Sequence, residues 1–451
     1  MKKIDVAIIG SGQSGNPLAA DFAEKGYQVY LFEKNKLGGS CVNYGCTPTK
    51  AYVASARRAF VANQKSALGV EINGTINIDL QKIRDRAKSI SQKSIDSIQN
   101  SIDTHENLHL VKGHASFIEN HIITCNGEQY KADQIFIDTG SRAVVPERYA
   151  NIEYLTNKTI LELTTIPKHL IIIGGSYIGL EFGQIFRRFG SEVSIIEKNE
   201  RIISKEDKDI SEAIQSFLED EGIRFYLNAK VNLVTQIDTN AINLDVNGEI
   251  LEGSHLLIAV GRQPNSDTLN LENTNIKTDE CGYVNVNDFC QTNVSGIFAM
   301  GDVNGKGAFT HTSYNDYEIV KDYLFGNKSK KIADRIPTYA LFTDPPLGRV
   351  GKTEQDARKK SQEVEIVKLE MAKVSRAIEM GETNGLMKLV VDKNSNKILG
   401  AAILGIKGDE VIAGITNLMY ADASVDVLKN SVHIHPTVSE LLPSMIKKLN
   451  N

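Results

Sequence analysis

Two stretches of this chain repeat each other at a constant offset. The first, from Ile4 to Lys34, reads IDVAIIGSGQSGNPLAADFAEKGYQVYLFEK. The second, from His169 to Lys198, reads HLIIIGGSYIGLEFGQIFRRFGSEVSIIEK. Gly10 matches Gly174, Gly15 matches Gly179, Gly26 matches Gly190 and Glu33 matches Glu197. Each copy is an apolar run, a glycine turn, a helical pattern, a second apolar run and an acid. That order describes a dinucleotide-binding βαβ unit. The first glycine makes the turn out of the strand, the second lets the backbone approach a pyrophosphate, and the third lets the helix pack on the strand. The helix start offers free N–H groups and a positive dipole end to the phosphates. The acid accepts hydrogen bonds from ribose hydroxyls.

In the first copy the nucleotide-facing positions are Gly10, Gly12, Ser14, Gly15, Glu33 and Lys34. In the second they are Gly174, Ser176, Tyr177, Ile178, Gly179 and Glu197. Ser176 stands where the middle glycine belongs, so that nucleotide is expected to sit slightly further out or to bind more weakly. Glu197 would repel a 2′-phosphate, so NADH is expected over NADPH, although Arg187, Arg188 and Arg201 lie nearby in sequence. Two such units in one chain imply two nucleotides, a flavin and a nicotinamide.

The remaining composition narrows the class. A length of 451 residues calls for two to four domains. A hydrophobic content of 41% and a charged content of 24% are those of a soluble globular protein. The net charge of −5 points to neither nucleic acid nor an anionic membrane. No apolar run approaches the roughly 20 residues that span a bilayer. The basic-then-apolar start MKKIDVAIIG is interrupted by Asp5 and ends in the glycine turn, so a cytoplasmic protein is expected.

Five cysteines do not make a disulfide scaffold. Two of them, Cys41 and Cys46, sit in GGSCVNYGCTPTK (38–50) just after the first copy. Zinc would need two further ligands at local spacing, and Cys125, Cys281 and Cys290 are scattered. A plain buried pair is a second possibility and a redox disulfide a third. Residues five apart on a regular helix have Cα atoms about 8.7 Å apart, and a disulfide wants less than about 7 Å. A bridge therefore needs a distorted segment, and Gly45 supplies the permissive position before Cys46. Pro48 suits the start of a following helix, TKAYVASARRAF, whose dipole would stabilise a thiolate just ahead of it. A dithiol that exchanges electrons must lie on the prosthetic group, which assigns FAD to the first copy.

GGSCVNYGCTPTK resembles the redox signature of the class I pyridine nucleotide-disulfide oxidoreductases, which include dihydrolipoamide dehydrogenase, glutathione reductase and mercuric reductase. The resemblance continues through IDTGSR (137–142), GGSYIGLE (174–181), AVGRQPN (259–265), TNVSGIFAMGDV (292–303) and HIHPTVSE (433–440). It implies an α/β fold of two Rossmann-like domains and a C-terminal α+β dimerisation domain. FAD would be bound by 1–150 and 266–330, NAD(P) by 151–265, and dimerisation would use 336–451. Cys41 would attack the substrate disulfide, and Cys46 would hold its thiolate against the isoalloxazine. Lys50 would sit near flavin N5, paired with Glu181. Gly39, Ser40, Thr139, Gly140, Asp302 and Thr310 would join the FAD site, and Gly261 the NAD site. His435, oriented by Glu440, would reach Cys41 from the other subunit of a homodimer and take its proton, with His433 a bystander. No metal site is implied.

The substrate is less constrained. The His-Glu pair and Glu197 suit a small disulfide or dithiol, as in dihydrolipoamide dehydrogenase. Asp138 departs from that pattern, which carries alanine there. FTDPPLGRVG and VSRAIEMGETNG look more like a branch of oxidant-defence flavoproteins that reduce metal ions such as copper. Mercury is disfavoured, because mercuric reductases carry a C-terminal cysteine pair and this chain has none after Cys290. The segment 80–105 reads as a solvated surface helix, KSKKIADRIP as a linker, Leu386 to Leu404 as a hairpin, and Glu410 to Ala423 as an amphipathic helix.

Overall fold

The computed structural model describes residues 1–64, 68–360 and 363–449. The first repeat folds as β1 (Lys2–Ile9), α1 (Gly15–Glu24) and β2 (Val29–Glu33), with β1 and β2 parallel from Val6↔Val29 to Ile9↔Phe32. Every residue of β2 is buried, as expected of a strand covered on both faces. After the cysteine segment come the helices α2 (Gly39–Tyr44), α3 (Cys46–Asn63) and α4 (Leu80–Asp103). Four strands follow, β3 (Leu108–Lys112), β4 (Ser116–Glu119), β5 (Ile122–Cys125) and β6 (Glu128–Ile137). They complete a sheet of order β3-β2-β1-β6-β5-β4, to which Ile297–Ala299 adds parallel to β6. The chain thus leaves this sheet after β6 and returns to it more than a hundred residues later.

In between lies the second repeat. Its strands His169–Ile173 and Glu192–Ile196 are parallel neighbours in a four-stranded sheet with Ile223–Tyr226 and His255–Ile258 at its edges. A three-stranded antiparallel sheet, Val231–Asp238, Ala241–Val246 and Glu249–Gly253, packs beside it. The outgoing and returning crossings pair with each other: Ser141–Ala143 is antiparallel to Arg262–Pro264.

The C-terminal part is a five-stranded antiparallel sheet. Leu386–Asp392 and Ile398–Leu404 form its expected hairpin, and the helix Gly408–Tyr420 lies near the span read from sequence. The linker-like KSKKIADRIP contains a short 3₁₀ turn, Ile332–Asp334. In α4, Asp79 caps the start by accepting from the Lys82 N–H at 3.0 Å, and Leu80, Ala87, Ser91 and Ile102 are buried. No helix among the described residues is long and apolar enough to cross a membrane. The α/β class with two nucleotide-type sheets is therefore the observed architecture.

Buried charges join the second and C-terminal parts. Lys388, 1% exposed, contacts Asp207 and Asp209 at 3.1 Å and Glu354 at 2.9 Å. Such a cluster adds little net stability, but removing Lys388 leaves the buried Asp207 carboxylate without its nearer cation, while Asp209 keeps Lys368 and Glu354 keeps Arg358. Lys388→Ala should therefore destabilise the protein by roughly 3–5 kcal/mol, read as a lower thermal unfolding midpoint; an unchanged midpoint would refute this account of the joint.

Candidate active site

Helices α2 and α3 are separated by the single residue Gly45, whose backbone is not helical. The break lets Cys41, in α2, meet Cys46, the first residue of α3, which a continuous helix would hold too far away. The helix begins two residues before Pro48, earlier than the sequence led us to expect. Pro48 is still within the first turn, where a missing N–H removes no intrahelical bond. Both cysteines are free thiols, and their side chains hydrogen-bond to each other.

This contact divides charge between them. The Cys46 thiol is lowered from 9.0 to about 5, first by the hydrogen bond from Cys41, then by the Thr310 hydroxyl and the charge of Lys50, against the cost of burial. Cys41 is pushed far up by the same hydrogen bond and by burial. In the dithiol form the proton therefore stays on Cys41 and the negative charge on Cys46. Thr310 Oγ1 lies 3.3 Å from Cys46 Sγ.

Lys50 lies one helical turn beyond Cys46, on the same face. Its Nζ is 2.8 Å from Glu181 Oε2 and 3.1 Å from Oε1, and it lies over the Phe342 ring. Glu181, 7% exposed, belongs to the helix Tyr177–Phe189 of the second repeat and also accepts the Phe342 N–H at 3.0 Å. Three separate parts of the chain thus meet at the sulfur pair.

The pair opens onto a cavity of about 540 Å³ that runs across the first repeat's glycine turn. Gly10, Gly12, Glu33, Lys34, Gly39 and Ser40 line it, as do Thr139, Gly140, Asp302 and Thr310. Tyr177 and Ile178 of the second repeat close it near Lys50 and Glu181. Ser14 and Gly15 do not line it. Ser14 is fully buried, its hydroxyl donating to the Ser313 carbonyl at 2.8 Å, because it serves the packing of α1 on the helix Thr310–Phe325.

The lining suits a flavin dinucleotide. Gly10 has φ +106°, and a Cβ there would lie 2.2 Å from the Asp138 carbonyl oxygen, so only glycine fits the turn. Thr139 Oγ1 is buried with no hydrogen-bond partner among the described residues, which leaves it free for a ligand. The Glu33 carboxylate braces the turn by accepting from Ser11 N at 3.0 Å and Ser11 Oγ at 2.7 Å.

The second repeat reproduces this brace: Glu197 Oε2 accepts from Gly175 N at 2.8 Å, and Oε1 from Asn199. Gly174 has φ +109°, and a Cβ on Gly179 would lie 2.1 Å from the Gly174 carbonyl. Ser176 immediately precedes the helix in extended backbone, and Gly261 has φ +144° on an open side. Arg187 and Arg188 turn away to Glu221, and Arg188 also pairs with Asp344.

His435 Nδ1 is 2.7 Å from Glu440 Oε2, with the imidazole 76% exposed. His435 does not line the cavity of its own chain. Its neighbours Val432 and Ile434 are also exposed. Sequence reading missed the Thr310–Cys46 contact and the Phe342 ring under Lys50. Both join residues more than 260 positions apart, and no local pattern announces them.

Thr310→Val should raise the midpoint at which Cys46 gains its proton. In the wild-type dithiol form the thiolate persists through neutral pH and is lost only as pH falls through about 5; ultraviolet thiolate absorbance during an acid titration measures the shift.

Residues 4–316 match the pyridine nucleotide-disulphide oxidoreductase family model, and residues 337–446 match that family's dimerisation domain. The chain is 33% identical to the probable pyridine nucleotide-disulfide oxidoreductase RclA of Escherichia coli, over 98% of each chain. It is 31% identical to the dihydrolipoyl dehydrogenase of Bacillus subtilis, over 97% of this chain and 96% of that one. It is 32% identical to a mercuric reductase of Lysinibacillus sphaericus, over 97% of this chain and 81% of that one. The solved Cu(II) complex of the HOCl-induced flavoprotein disulfide reductase RclA superposes with a TM-score of 0.91, at 32% identity over the full length of both chains. The chain belongs to the pyridine nucleotide-disulphide oxidoreductases, FAD-containing enzymes that exchange electrons between a nicotinamide nucleotide and a disulfide.

Proposed function

We propose that this enzyme oxidises NADH and reduces a small disulfide, or runs the reverse reaction, through Cys41 and Cys46. The observation that carries this reading is the division of proton and charge between the two sulfurs beside the Lys50–Glu181 pair. The first repeat, with residues 1–150 and 266–330, holds FAD; residues 151–265 hold the nicotinamide nucleotide; residues 336–451 pair with a second copy. When bound there, FAD would supply two-electron transfer between the nicotinamide and the sulfur pair.

The chain's own residues do the rest. Lys50 keeps a positive charge at the cavity end nearest Cys46, and Glu181 holds it there. Cys41 gives its proton to the partner's His435, whose cation Glu440 stabilises. The Cys41 thiolate attacks one sulfur of the substrate disulfide, forming a mixed disulfide and releasing one substrate thiolate, which takes the proton back. The Cys46 thiolate then attacks Cys41 Sγ, releasing the second substrate thiolate and closing the Cys41–Cys46 bridge. Glu197, with Arg187 and Arg188 engaged elsewhere, supports NADH over NADPH.

A metal ion as electron acceptor is the second reading, favoured by the Cu(II) complex of the RclA relative. NADH oxidation measured in turn with lipoamide, glutathione disulfide, Cu(II) and Hg(II) separates the two. Lipoamide turnover that vanishes in Cys46→Ser is expected. Turnover with Cu(II) alone would establish the second reading, and turnover of glutathione disulfide with NADPH would overturn both the substrate and the nucleotide choice.

The shared site has its own test. Mixed and reassembled Cys41→Ser and His435→Ala proteins should recover about a quarter of wild-type activity, because half the dimers carry one site with both residues intact. No recovery, with subunit exchange shown by mass spectrometry, would place His435 in its own chain's site, and full activity of His435→Ala alone would place it outside catalysis.

A further inference from the structure

Asp138 is the one position of the IDTGSR motif that departs from the family pattern, and the mechanism above does not use it. It follows β6 directly, is 7% exposed and lines the cavity. Its Oδ2 accepts the Gly15 N–H at 2.8 Å, at the first residue of α1. A Cβ on Gly12 would lie 2.6 Å from Oδ2, and one on Gly301 would lie 3.1 Å from Oδ1. The carboxyl is therefore wedged between two glycine-bearing segments, at the helix terminus that a dinucleotide site uses for its pyrophosphate.

An ionised carboxylate there would oppose the phosphates. The charged groups facing it are also acids: Glu33 at the end of β2, Asp302 in the 301–304 turn and Asp316 in the helix Thr310–Phe325. Two of those acids have arginine partners of their own, Asp302 with Arg262 and Asp316 with Arg335. Burial pushes the Asp138 carboxyl well above the usual carboxylate range; the Gly15 N–H opposes this, and the charges of Asp302, Glu33 and Asp316 add to it.

The geometry points to Asp138 as a proton-linked flavin ligand: Oδ2 keeps the Gly15 N–H, the carboxylic acid faces the pyrophosphate as a hydrogen-bond donor instead of a like charge, and one proton must enter with FAD wherever the free-site carboxyl is ionised. This rests on the first repeat being the flavin site. Binding that requires a proton weakens by up to about tenfold per pH unit once the free-site carboxyl is ionised. Asp138→Asn keeps an acceptor for Gly15 and a donor for the phosphate without titrating. Asp138→Ala removes the charge altogether.

The test is spontaneous flavin release from the purified full-length protein, followed by the fluorescence of freed FAD from mildly acidic to alkaline pH. Wild-type release should accelerate with rising pH by up to about tenfold per unit, while Asp138→Asn and Asp138→Ala give flat profiles and hold FAD longer at the alkaline end. A flat wild-type profile, or either variant tracking the wild type, would overturn the proposal. A protein that contains no flavin and takes none up would overturn the site as well, and its absorption spectrum shows this before the pH series begins.

Discussion

Cys41 holds a proton toward Cys46 across a helix that stops and restarts at Gly45, and the chemistry of the chain follows from that contact. If the helix ran through, the sulfurs would lie too far apart to share a proton or to bridge. Because it restarts at Cys46, one sulfur sits at a helix N-terminus with Thr310 and Lys50 beside it, while the other keeps the proton. Two chemically identical side chains thereby acquire different charge states, a thiolate and a thiol. The neighbourhood sets the roles, as when two like groups have their pKa values pushed apart.

The two repeats show how one local solution serves two ends. In each, a glycine with positive φ turns the chain against the carbonyl just past a neighbouring strand, and an acid ties down the N–H of the residue that follows that glycine. Their surroundings differ. The first turn opens into the cavity that holds the sulfur pair, while the second lies outside it and sends only Tyr177, Ile178, Glu181 and Phe182 inward. The second repeat thus reaches the sulfur pair through one helix, and Glu181 is its ionic contact there. Buried charge clusters around Lys388 and Arg188 hold the second and C-terminal parts in register, so that this contact has a defined position.

Much of this was legible in the chain. The repeat announced two parallel-sheet units, because strand-turn-helix-strand order with glycines at fixed places has few other physical solutions. Gly45 before Cys46 announced the distortion. The Lys50–Glu181 contact was anticipated from the resemblance, since nothing near either residue points to the other. Ser14 shows the limit of motif reading: it belongs to the turn, but its hydroxyl is taken up by Ser313.

The amino-acid order by itself determined the local devices: the glycine turns, the braced acids, the helix break and the alternation of strands and helices. These depend on backbone sterics and on hydrogen bonds between residues close in sequence. Tertiary structure alone decided which sulfur carries charge and which face of the first repeat is hollow. It also decided that the Asp138 carboxyl lies at the N-terminal end of α1. Each of these depends on groups brought together from distant parts of the chain, and the energy of a charge is set by what surrounds it in space.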